Sequence, residues 1–67
     1  MMYSLMAESG GRPINVDATS AEMAYRKEGC WFRPSTVVMV WDNCGTMQKF
    51  SRKIDRHGNL IEVIKEG

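Results

Sequence analysis

Pro13–Val38, PINVDATSAEMAYRKEGCWFRPSTVV, holds within one short stretch a strand, a capped helix, an aromatic loop and the start of a buried strand. Ile14 and Val16 alternate with Asn15 and Asp17, the period-two pattern of a strand with one face covered. Thr19-Ser20-Ala21-Glu22 then fits a capping box, with Thr19 as the cap and Glu22 reaching back to it. The helix runs through Glu28 for about three turns, and Gly29 supplies a left-handed stop. Ala18, Ala21, Ala24 and Tyr25 share one helical face, three of them small enough to let the helix lie close to a sheet. Glu22, Arg26 and Lys27 face water.

Upstream, Met2–Glu8 and Arg12–Asp17 are short apolar runs around Gly10-Gly11, the pattern of a β-hairpin. Downstream, Cys30-Trp31-Phe32-Arg33-Pro34 reads as a loop, with Pro34 holding Arg33 extended. Ser35–Asp42, STVVMVWD, is β-branched and apolar on both faces, as a central strand is. Asn43-Cys44-Gly45 is a turn and Thr46–Ile54 a polar strand. Asp55–Asn59 is a turn that places Gly58 at positive φ, and Leu60–Lys65 is the last strand. Pairing Ile54 with Leu60 sets Arg52 against Glu62 and Phe50 against Ile64. The fold class is therefore α+β, a single domain over residues 1–67. Its elements run ββαβββ along the chain, an antiparallel sheet with one helix packed on one face.

Sixty-seven residues bury only about 60% of the surface of the unfolded chain, which leaves no material for a deep substrate cavity. With 43% hydrophobic and 25% charged residues the chain is an ordinary globule. A net charge of +1 excludes both a strongly basic nucleic-acid domain and an acidic DNA mimic. Residues 1–22 carry Arg12 against Glu8, Asp17 and Glu22, a balance of −2. Residues 23–56 carry Arg26, Lys27, Arg33, Lys49, Arg52, Lys53 and Arg56 against Glu28, Asp42 and Asp55, a balance of +4. Such a basic middle either attracts an anionic partner or forms a solvated surface. Without a basic start and long apolar run in MMYSLMAESG there is no secretory signal, and no stretch is long enough to span a membrane. A cytoplasmic protein with reduced thiols is expected. Cys30 is read as a small buried hydrophobe and Cys44 as an exposed turn residue.

The chain carries no catalytic pattern. His57 is the only histidine and sits in a turn. Cys30, Cys44 and His57 lack the spacing and the fourth ligand of a zinc site, and Gly10-Gly11 is too short for a phosphate loop. The expectation is a non-enzyme without metal or cofactor. The candidates for partner binding are Arg26, Lys27, Trp31, Arg33, Lys49 and Lys53. These side chains suit phosphates or an acidic protein surface, and of Trp31 and Phe32 one closes the core while the other stays available.

The run INVDA (14–18), the helix opening TSAE (19–22) with Ala24, then EGCW (28–31), TVVM (36–39) and the late turn of Lys53, Asp55 and Gly58 resemble a known pattern. They are similar to a subgroup of small phage anti-CRISPR proteins acting on type I (Cascade-type) surveillance complexes, over roughly residues 13–60. The helix here is about a turn shorter than in that subgroup. The resemblance implies a sheet-plus-helix protein that docks on the backbone subunits of the complex, in the cytoplasm of the host bacterial cell. There it blocks target-DNA binding or hybridisation sterically, and helix-end basic residues, here Arg26 and Lys27, contribute. Two alternatives share the same features: a small nucleic-acid-binding module with Trp31 or Phe32 stacking on bases, and a phage inhibitor of host RNA polymerase.

Overall fold

Alternation shapes the first strand of the computed structural model, which describes residues 1–67. In β1 (Met2–Ala7) the side chains of Tyr3, Leu5 and Ala7 are buried and those between them are not. The chain returns through residues 8–13 into β2 (Ile14–Asp17), with Met2 opposite Asp17 and Leu5 opposite Ile14. The expected hairpin forms, although its second strand starts two residues later than Arg12.

The helix α1 (Ala21–Glu28) is two turns of α-helix continued by a 3-10 turn over Gly29–Trp31. Its alanine face is the one expected: Ala18, Ala21, Ala24 and Tyr25 are all buried. Two details of its ends differ. The cap is Ser20, not Thr19: Ser20 is extended and its hydroxyl accepts from the Met23 amide at 3.2 Å. Gly29 is right-handed, φ −62° and ψ −19°, so it does not stop the helix by a left-handed turn. It is buried beneath the Tyr25 ring, where a Cβ would stand 3.0–3.1 Å from ring carbons and the ring would have to shift to admit it.

Beyond the 3-10 turn, Phe32 packs against the core while Trp31 stands 73% exposed. β3 (Val38–Trp41), β4 (Met47–Ile54) and β5 (Leu60–Lys65) follow as a meander. The sheet order is β2-β1-β3-β4-β5, every neighbouring pair antiparallel. β3 is thus central, and α1 carries the chain across β1 to reach it. Val38, Val40 and Phe50 are at most 1% exposed on the helix face. Phe50 stacks on Tyr25, ring centroids 5.6 Å apart, and ties the helix to the far half of the sheet.

The two turns of the meander are built alike. Asp42 Oδ1 accepts from the amides of Cys44 and Thr46, both at 2.9 Å. Asp55 Oδ1 accepts from His57 at 2.8 Å and Asn59 at 2.9 Å. In each, the glycine three residues after the aspartate has positive φ, 89° at Gly45 and 85° at Gly58, which glycine adopts without a Cβ clash. These side-chain bonds satisfy turn amides that the strand ladders leave unpaired.

The last hairpin corrects the expected register. Ile54 does pair with Leu60, but a bulge at that end makes Lys53 the partner of Glu62 and leaves Ile61 unmatched. Arg52 then faces Val63, Ser51 faces Ile64 and Phe50 faces Lys65. A bulge adds one residue to one strand and moves every later pair by one. It takes Arg52 away from Glu62 and leaves it on the helix side, where its guanidinium donates to the Gly29 carbonyl.

Candidate functional site: the uncovered face of the sheet

One helix covers one side of a five-stranded sheet and nothing covers the other. Strand alternation decides what that second face carries. In the cross-strand pairs, Met6 lies opposite Met39, and Met39 opposite Lys49. In the neighbouring row Asn15 lies opposite Ser4, Ser4 opposite Trp41, and Trp41 opposite Met47. Met6, Met39 and Trp41 are half-buried, whereas Met47 is 37% and Met2 55% exposed. The outcome is an apolar island of methionines around one tryptophan.

Its margin is polar and tied down. Ser4 donates to Asn15 Oδ1 at 2.7 Å, and Lys49 pairs with Glu8 at 2.6 Å. Farther along β4, Ser51 is buried and donates to Glu66, and Lys53 is exposed opposite Glu62. The methionine-rich pattern was open to reading in the sequence. VVMVW alternates small β-branched residues with Met39 and Trp41, and only one helix is present to cover them.

The six residues expected to bind a partner do not form one surface. Lys49 and Lys53 point from the uncovered face, while Arg26, Lys27, Trp31 and Arg33 lie at the helix end on the other side. Several are engaged within the molecule. Arg26 pairs with Glu22 at 3.0 Å, one helical turn away. The Lys27 ammonium donates to the Asp17 carbonyl at 2.9 Å. Trp31 Nε1 donates to Glu28 at 2.7 Å, which sets a carboxylate against the indole. Arg33 is exposed. Cys30, expected in the core, is instead exposed, because the 3-10 turn swings it outward. Cys44 is exposed in its turn as expected, and both thiols are free.

No group of three or more His, Cys, Asp or Glu side chains converges as a metal site would require. No helix is long and apolar enough to cross a membrane. No protein family, curated protein or solved structure matches the chain.

Proposed function

We propose that this protein is a non-catalytic binding protein that docks through the uncovered face of its sheet onto a protein surface of a larger assembly. The observation that carries the proposal is the island of Met6, Met39, Trp41 and Met47 on a face with no second layer. A chain with so small a core gains stability by burying such residues and here leaves three of them half-buried and Met47 37% exposed. Tryptophan and methionine are enriched in interface cores, and the unbranched thioether side chain adapts to its partner's shape. Lys49 at the margin is matched by Glu8, whereas Lys53 is exposed and in no ion pair, and it favours a partner with acidic groups.

The resemblance to small phage anti-CRISPR proteins suggests the partner: the backbone subunits of a type I CRISPR surveillance complex in the cytoplasm of a host cell. Occupying that surface blocks target DNA without chemistry. A protein partner suits the helix-end residues better than nucleic acid does. Arg26 and Lys27 are already engaged, and Glu28 beside Trp31 repels a phosphate backbone that would let a base stack there.

The experiment is a plasmid-interference assay in cells carrying a type I system, joined to affinity capture of the complex. Wild type is expected to restore plasmid survival and capture the complex. Met39→Glu with Met47→Glu, checked by circular dichroism, is expected to lose both, whereas Arg26→Glu with Lys27→Glu keeps most of the activity. Loss confined to the helix-end variant moves the docking surface to that side. A wild-type protein that neither protects nor captures the complex rejects the CRISPR partner.

A further inference from the structure

The end of α1 and the β4–β5 hairpin leave between them a notch of about 250 Å³. It opens on the helix side of the sheet, away from the face proposed for docking, so its occupancy does not depend on that docking. Ile54, Leu60 and Val63 form its apolar wall, and Tyr25, Arg26 and Arg52 supply its polar groups. No carboxylate lines it.

We propose that this notch binds a carboxylate carried on a short apolar chain. Tyr25 and Arg52 hold the carboxylate, and Ile54, Leu60 and Val63 receive the chain.

Two observations meet here. Tyr25 is 1% exposed, and its buried hydroxyl makes no hydrogen bond of good geometry; Arg52, the group that approaches it, can only donate, so the hydroxyl proton has no acceptor. Buried polar groups are nearly always paired, so a lone buried hydroxyl on a residue that lines a cavity marks a missing partner. Burial pushes that hydroxyl above its ordinary value of 10.0, while Arg52 acts the other way, first as a hydrogen-bond donor close to the oxygen and then through its charge. It therefore stays protonated at neutral pH and can donate. Arg52 is the second observation. It gives one N–H to the Gly29 carbonyl and makes no ion pair, whereas the other arginine of the notch, Arg26, is matched by Glu22. A guanidinium has five N–H donors in a planar fork, and a carboxylate is the acceptor that fits it.

Size and charge narrow the ligand. One water occupies about 30 Å³ of liquid, so the notch takes on the order of eight heavy atoms. Hexanoate is about that size. One unmatched cation and one neutral donor suit a monoanion better than a phosphate dianion. Ile54 is 37% and Leu60 49% exposed at the rim, apolar surface that a bound aliphatic chain would cover. The same chemistry is offered by a free short-chain acid and by the C-terminal carboxylate of a protein ending in an aliphatic residue.

The test is an amide NMR titration of the folded protein with hexanoate and, separately, hexanamide. A second arm uses acetyl-Leu-Leu with a free carboxylate and the same peptide amidated. Saturable shifts at Gly29, Cys30 and Leu60 are expected with the acids, and weak ones with the amides. Tyr25→Phe keeps the ring and removes the unpaired hydroxyl, so it is expected to fold and to bind the acid about tenfold more weakly. Arg52→Gln is expected to lose acid binding, and if it does not fold, Tyr25→Phe decides alone. Binding of hexanoate identifies a small acid, and binding of the peptide alone identifies a protein terminus. Equal response to acid and amide, no response to any acid, or unchanged affinity in Tyr25→Phe overturns the proposal.

Discussion

The Tyr25 ring occupies the space that a side chain at Gly29 would need: a Cβ there would stand 3.0 Å from Cε1 and 3.1 Å from Cζ. The φ of −62° at Gly29 is open to any residue, so the conflict is steric alone. Tyr25 is held by its stacking on Phe50 and is 1% exposed, so its ring resists the shift of a few tenths of an ångström that a Cβ would require. Gly29→Ala is expected to destabilise the protein by about 1–3 kcal/mol through overpacking. That outweighs a gain in backbone preference of up to ~1 kcal/mol. Urea denaturation measures it, and an unchanged or higher midpoint would show that the ring yields.

Ser20→Ala removes the oxygen that caps α1 and is expected to cost about 0.5–2 kcal/mol. Thr19→Ala, one residue earlier, is exposed and makes no cap bond, so its effect is expected to stay within ~0.5 kcal/mol. Comparing the two melting curves separates the positions, and a larger loss in Thr19→Ala than in Ser20→Ala would place the cap at Thr19.

Asp55 is held below its ordinary value of 3.8, first by the Asn59 amide and further by those of His57 and Gly58. Asp17 is lowered as well, chiefly by the N-terminal ammonium. Both are carboxylates with depressed folded-state values. Their contribution is complete above the ordinary value and is withdrawn as pH falls below 3.8 toward the lower folded value. Stability is therefore expected to fall on acidification below that point. Asp55→Asn, which keeps an acceptor but cannot titrate, is expected to flatten part of this limb. Denaturation midpoints across the acid range, read above and below 3.8, measure it, and an identical acid limb in the variant would assign the loss elsewhere.

Cys30 and Cys44 are both exposed, one beside the helix end and one in the first turn of the meander. Native protein is expected to label at both thiols with Ellman's reagent without denaturant. Labelling at Cys44 alone, identified by the Cys44→Ser variant losing the signal, would put Cys30 back in the core.

The helix face was legible because three alanines and a tyrosine at helical spacing leave no other surface to bury. The cap was not, since Thr19 and Ser20 are adjacent hydroxyls with the same chemistry and only the backbone chooses between them. Gly29 looked like a left-handed stop because that is the commonest use of glycine after a helix. Its actual role depends on where Tyr25 lies in three dimensions. The pair Ile54–Leu60 was readable from the turn, but strict alternation carried past it hid the bulge. The adjacent apolar residues Leu60 and Ile61 were the available sign of it. The two turns share an Asp-x-x-Gly spacing, WDNCG and IDRHG, which the sequence displays openly. The notch could not be foreseen, because the strict register set Glu62 against Arg52, whereas the bulge in β5 puts Val63 there and leaves the guanidinium without an ion pair.

That bulge also bears on how the molecule meets copies of itself. β5 is an outer strand of the sheet, and an outer strand with regular spacing invites another chain to continue the ladder. The unmatched Ile61 breaks the spacing of β5 near its start, and Glu62 and Lys65 place charges along the remainder. At the opposite edge β2 is only four residues long and carries Asp17. The sheet thus blunts both of its own borders, so that growth edge to edge is discouraged while its broad face stays open to a different kind of neighbour.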